Sequence, residues 1–202
     1  MSYEKYRNVK LKNPISGFEV ARKILDSHGM NDVYVTSVNG KLSDHYDSSR
    51  KVVRLSKDVF HGESIASCSV AAHEVGHAIQ DKEGYGFMRF RSLMFPLVNF
   101  SSYCGYLAIL IGAIFGSLEL IWVGIGLEII ILVFQLVTLP VEFNASNKAR
   151  EELEKHGILT KKELSLSKKM LNAAAYTYVA GVLNTILQIL RLILIFGGNN
   201  RD

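Results

Sequence analysis

The spacing of apolar positions changes character along the chain. Over the first 90 or so residues apolar positions come in short groups. Ser16-Gly17-Phe18-Glu19 has the form of a capping box, and Val20, Ile24 and Leu25 follow at helical spacing up to a stop at Gly29. Val33, Val35 and Ser37 then alternate with Tyr34, Thr36 and Val38, which predicts a strand, and Asn39-Gly40 predicts a hairpin-type turn. Residues 42–46 and 51–55 read as a second and third strand split by the polar Asp47-Ser48-Ser49. From 63 to 81 small and apolar residues return to helical spacing, and Gly84 and Gly86 end the run.

The pattern beyond residue 92 has a different scale. Residues 93–116 carry no charge and are long enough to cross a bilayer; residues 118–139 match them but contain Glu119 and Glu128. A third apolar span, 172–196, is broken only by a stripe of Thr177, Gly181, Asn184, Gln188 and Arg191 at steps of three and four. Such a stripe is expected to face other helices as polar glue, with Glu128 as partner for Arg191 or for the two amides. Between the second and third spans, residues 141–170 hold 7 basic and 5 acidic residues and predict a helix followed by a short connector.

The first two spans are joined only by Gly116-Ser117, so they form a membrane hairpin that returns the chain to the side it left. The resulting organisation is an α+β part over 1–91 and a transmembrane hairpin over 92–140. A helix over 141–171 on the same side as the first part and a third transmembrane helix over 172–197 complete it. Lys and Arg are absent from the hairpin turn and frequent in both flanking segments, which places the α+β part in the cytoplasm of a multi-pass cell-membrane protein.

Composition agrees with this division. The chain has 202 residues, 49% hydrophobic and 21% charged, with a net charge of +4. Its size allows a core of its own, so it is no disulfide-stapled miniprotein, and it is too apolar for a disordered tail. Residues 1–92 hold 14 basic and 11 acidic residues, whereas the 27 positions from Ser92 to Leu118 hold neither. Lys and Arg alternate with Asp and Glu, which argues against a nucleic-acid surface. Cys68 and Cys104 form no CxxC pair and are expected as reduced, packed thiols. The opening Met1-Ser2-Tyr3-Glu4-Lys5-Tyr6-Arg7 is polar and predicts no cleavable signal peptide.

The candidate chemistry lies in His73-Glu74-Val75-Gly76-His77. Residues four apart share a helix face, so two imidazoles can converge on one metal ion, and Glu74 is placed to reach a metal-bound water rather than the metal. Zinc brings that water's pKa towards neutrality, and a carboxylate can take its proton as it attacks a carbonyl. Gly76 and Ala78 are small, as a helix requires where substrate or another backbone comes close. The apolar stretch around the motif, residues 65–79, is too short to span a bilayer, which disfavours a site buried inside a transmembrane helix.

A catalytic zinc site wants a third protein ligand. His28, His45, His61, His156 and several carboxylates are candidates, and Glu142 is the best placed of them. It follows Pro140 at the expected start of the 141–171 helix, on the side to which the hairpin returns the chain. Asn144, Ala145 and Ser146 after it suit a closely packed face, with Asn144 and Ser146 as possible cleft or supporting residues, whereas Glu151 and Glu152 further along have no expected role in the site. His45, within Asp44-His45-Tyr46-Asp47, is a possible cleft residue or a hydrogen-bond partner of a ligand. The strand over 51–55 is a candidate edge to which a substrate backbone could add.

His73 to His77, together with Leu139-Pro140-Val141-Glu142-Phe143-Asn144-Ala145-Ser146, resembles the YugP-type family of membrane neutral zinc metallopeptidases. The resemblance extends through Leu42-Ser43-Asp44-His45-Tyr46-Asp47, Val53-Arg54-Leu55-Ser56 and Asn172-Ala173-Ala174-Ala175-Tyr176, and so covers nearly the whole chain. It implies a mostly helical α+β membrane protein with a small zincin-like catalytic domain. It further implies Zn2+ held by His73, His77 and Glu142 in a gluzincin-like set, Glu74 as base, and a peptide or protein substrate that can itself be a membrane protein. The arrangement is also similar to the HtpX-type and prenyl-protein membrane proteases, which carry an Asp where this chain has Ser146. The family's usual apolar anchor ahead of the Lys5-Tyr6 region is not part of this sequence. The alternatives are a non-catalytic zinc-containing membrane scaffold or chaperone, and a transporter using Glu128 and Arg191.

Overall fold

The computed structural model describes residues 2–198. Along them run α1 (Ser2–Arg7), α2 (Gly17–Ser27), β1 (Tyr34–Val38), β2 (His45–Asp47), β3 (Val52–Ser56), α3 (Lys57–Phe60), α4 (Ile65–Lys82), α5 (Gly86–Phe115), α6 (Leu118–Lys155) and α7 (Lys161–Gly197). The protein is thus mostly helical with a small sheet. Two compact units divide at Tyr85/Gly86, Pro140/Val141 and Tyr176/Thr177: the first takes the chain up to Tyr85 with Val141–Tyr176, the second Gly86–Pro140 with the chain from Thr177 onward.

In the first unit α2 starts on the capping box read from the sequence. The Ser16 side chain accepts from the Glu19 N–H, and Glu19 accepts from the Ser16 N–H at 2.8 Å. The helix buries Val20, Ala21, Ile24 and Leu25 completely, against a core that includes Leu55, Val59, Ile65, Val75 and Leu153. Each Val, Ile or Leu among them contributes about 1.5–3 kcal/mol through removal from water. α4 lies at the centre of this unit. Its N-cap, Ser64, accepts from the Ser67 N–H, and along most of its length α4 is buried on all sides. Ser69 hydrogen-bonds the Ile65 carbonyl and the Ser167 hydroxyl, so small polar residues let other elements surround the helix without stranding a donor.

The sheet differs from the expected meander. β1 pairs with β3 in parallel and β2 pairs with β3 antiparallel, giving the order β1-β3-β2. Asn39-Gly40 therefore does not join neighbouring strands, although Gly40 does turn at φ +106°. The chain crosses from β1 to the far side of β3, and the tight hairpin lies between β2 and β3. Asp47 organises it by accepting from the Ser49 and Arg50 N–H groups and the Ser49 hydroxyl. It follows that β3, the strand expected as an open edge, is the central one. Its burial on both faces reflects that position; β2 is the edge.

In the second unit α5, α6 and α7 are each long and apolar enough to cross a membrane. Gly105 and Gly124 allow α5 and α6 to approach backbone to backbone: a Cβ on Gly124 would stand 2.8 Å from the Gly105 carbonyl oxygen. Ile121 and Ile125 pack on Ile189 of α7. Asn184, Gln188 and Arg191 line a groove between α5 and α7 with Tyr106. Glu128 instead turns to α5, with Oε1 3.8 Å from where a Gly105 Cβ would be. The expected Glu128–Arg191 pair is not among the ion pairs of the described residues.

Two helices run past their expected limits. Pro140 lies inside α6, and Glu142 is 24 residues beyond its first residue rather than in a first turn. Proline removes one main-chain donor, a loss that long helices of membrane proteins tolerate. α7 likewise starts at Lys161, where Glu163 accepts from the Thr160 N–H and hydroxyl at 2.8 and 2.6 Å, a capping arrangement well ahead of the apolar span.

Candidate metal centre

His73 and His77 lie one turn apart on α4 with ring centroids 4.8 Å from each other. α6 crosses α4 at Gly76, where a Cβ would stand 2.6 Å from the Ala145 carbonyl oxygen. That contact brings Glu142, 65 residues after His77 in sequence, over the two imidazoles. Glu142 Oε2 is 3.3 Å from His73 Nε2, and Oε1 is 3.8 Å from His77 Nε2. One ligand atom from each of the three residues lies within 4.8 Å of the other two. Two imidazole nitrogens and one carboxylate oxygen, in a site where Glu142 is only 4% exposed, form a donor set suited to zinc with a coordination position left over.

Both histidines are held from behind. The Ser146 hydroxyl is 3.2 Å from His73 Nδ1, at the position where the more distant proteases carry an Asp. The Gln80 Oε1 atom is 3.0 Å from His77 Nδ1. Gln80 Nε2 in turn donates to the Val141 carbonyl and to Asn144 Oδ1, both at 2.8 Å. Of Asn144 and Ser146, read from the sequence as possible cleft or supporting residues, Ser146 thus meets His73 itself and Asn144 meets Gln80 behind His77.

Glu74 follows His73 on α4, feels the charges of His73 and Glu142, and is 8% exposed. Burial pushes its carboxyl up to about 7, against the lowering effect of His73; Glu142 and Asp44 add to the rise, and the Tyr46 backbone N–H opposes it. That N–H belongs to β2, so the sheet edge borders the candidate base. The Tyr46 hydroxyl donates to Asp81 at 2.9 Å and fastens β2 to the last turns of α4.

The remaining histidines are elsewhere. His45 is exposed on β2, with Nδ1 2.8 Å from the Ser43 carbonyl oxygen, and does not join the cluster. His61 ends α3 beside Phe60. His28 and His156 flank Glu152, with Nε2 atoms 3.0 and 3.1 Å from its two oxygens. Glu152, which had no expected role, is therefore a buried strut between α2 and α6. Gln80, Tyr46 and Asp81 were not singled out from the sequence. Gln80 had a usable signal, because a residue three after His77 lies on the same helix face.

Three membrane-length helices, with two histidines and a glutamate converging in an α+β unit, define a membrane protein of the metallopeptidase class. Residues 1–197 match the family model described as "Putative neutral zinc metallopeptidase", and the chain belongs to that family. It is 47% identical over 201 residues to the "Putative membrane protease YugP" of Bacillus subtilis (strain 168), an alignment that covers 100% of this chain and 89% of that protein. No solved structure matches the chain. The metal of the family is zinc, and the His73, His77 and Glu142 donors fit it.

Proposed function

We propose that the protein is a membrane-embedded, zinc-dependent endopeptidase with a gluzincin-like ligand set of His73, His77 and Glu142 and with Glu74 as general base. The observation that carries this reading is the convergence of those three donors within 4.8 Å of one another, with a second carboxylate, Glu74, buried next to His73 in sequence. When bound, zinc supplies Lewis acidity, lowering the pKa of water towards neutrality and polarising a peptide carbonyl. Glu74 takes the proton of the attacking water and delivers it to the departing amine nitrogen. Ser146 and Gln80 hold the imidazole rings in their ligating orientation. An extended substrate lies along β2, the sheet edge next to Glu74, as a further strand. The active site faces the cytoplasm, a reading supported by the Lys and Arg on both segments that flank the hairpin.

The test is cleavage of an unfolded protein by the detergent-purified chain. Cleavage that a chelator stops and zinc restores supports the proposal. A zinc-loaded chain that cleaves no unfolded or membrane protein contradicts it and points to the scaffold alternative.

A further inference from the structure

Gln80 is 0% exposed and makes three hydrogen bonds with its carboxamide. Their directions are not interchangeable. The Val141 carbonyl can only accept, so the group 2.8 Å from it must be the amide NH2. A flipped amide would set two acceptor oxygens against each other in a site from which water is excluded, leaving both unsatisfied. The carboxamide oxygen is thereby committed to His77 Nδ1, and a ring nitrogen facing an oxygen acceptor must carry its hydrogen. We infer that Gln80 is a positioning residue: it selects the Nδ1–H tautomer of His77, leaving the Nε2 lone pair directed at the Glu142 side of the site.

The inference rests on the proposed ligand role of His77 and adds how the chain prepares that ligand. Gln80 does this from a useful place. It stands on α4, three residues beyond His77, and holds the backbone of α6 one residue before Glu142. One side chain therefore ties a ligand-bearing helix to the neighbour of the ligand on the other helix. Asn144 completes the arrangement, because its Oδ1 takes the second amide hydrogen and leaves the NH2 group no reason to turn. A hydrophobic residue at position 80 would fill the same space, but the His77 ring would be free to place N–H rather than a lone pair towards the metal.

The experiment reads the ring directly. Nitrogen-15 NMR of the imidazoles in the metal-free, detergent-solubilised full chain, recorded where the rings are neutral, distinguishes the two tautomers. Zinc affinity by chelator competition is measured alongside. The wild type is expected to show His77 as Nδ1–H. Gln80→Met should lose that preference and bind zinc roughly 10- to 100-fold more weakly. Gln80→Glu, which keeps an acceptor towards Nδ1, should restore the Nδ1–H form even though its link to Val141 is gone. An Nε2–H signal for His77 in the wild type, or an unchanged tautomer in Gln80→Met, overturns the inference. If Gln80→Met does not fold, the wild-type and Gln80→Glu spectra still decide it. Neither readout requires peptidase activity, so a failure of the proposed function leaves this result independently legible.

Discussion

A carboxylate used as a base has to be reachable by water yet poorly enough solvated to hold a proton. Glu74 meets the second condition, since burial lifts its carboxyl to about 7 against the lowering hydrogen bond from the Tyr46 N–H. Glu74→Gln should abolish peptide hydrolysis and retain zinc, as measured by turnover of an unfolded substrate and by metal content. Loss of metal in that variant would make Glu74 a ligand instead. Glu152 gives a contrast on α6. Despite its burial, its carboxyl is held below the usual carboxylate value, through hydrogen bonding and charge from His28 and then charge from Lys155. A depressed folded-state value means that its stabilisation is present above the unfolded value near 4.5 and is lost as pH falls through the folded one. Glu152→Gln should therefore lower stability at neutral pH by about 1–3 kcal/mol, and its difference from wild type should shrink in melts run below pH ~4. Glu151→Ala, at an exposed site, should change neither stability nor metal binding. The pairing of His73 and His77 on one face is legible because their spacing on one helix is itself what two ligands of one metal ion require. Glu152 is not, since a buried acid reads like a surface residue until the packing around it is known, and Gln80 offers only its place on the His77 face.

At the level of elements, what matters is how closely α4 and α6 approach. The sequence indicates that Gly76 lies at a close approach but cannot name the partner, because Ala145 is 69 positions away. Gly76→Ala should force the helices apart at a cost of about 1–3 kcal/mol and weaken zinc binding with it. The checks are thermal unfolding in detergent and chelator competition. Gly126→Ala on α6, where a Cβ would meet nothing within 4 Å, is the control expected to leave both intact. The longer helices are legible because their apolar period and caps are local, whereas the short α1 and α3 offer no such period. Strand partners were read poorly for the opposite reason. Asn39-Gly40 is a real turn, yet the hairpin was decided by Asp47 and by the burial of β3 between two neighbours. Pro140 was read as a boundary because proline disfavours helix in isolation; α6 loses one hydrogen bond there and continues through more than a dozen further residues.

For the whole molecule, the hairpin of α5 and α6 returns the chain so that residues remote in sequence share one compact unit with α4. On the proposed orientation the turn at Gly116-Ser117, which has no Lys or Arg, faces outward. Cysteines introduced at Ser117 should react with an impermeant thiol reagent on intact cells, and cysteines at Lys41 or Lys162 should not, in a background lacking Cys104. The reverse pattern would place the site outside the cytoplasm. The central claim is that a carboxylate delivered by α6 completes a metal site begun on α4, and zinc content of the purified chain tests it most directly. Wild type and Glu74→Gln should both carry stoichiometric zinc, while Glu142→Ala should have lost most of it. Stoichiometric zinc in Glu142→Ala, with loss of zinc in His45→Ala instead, would contradict the account.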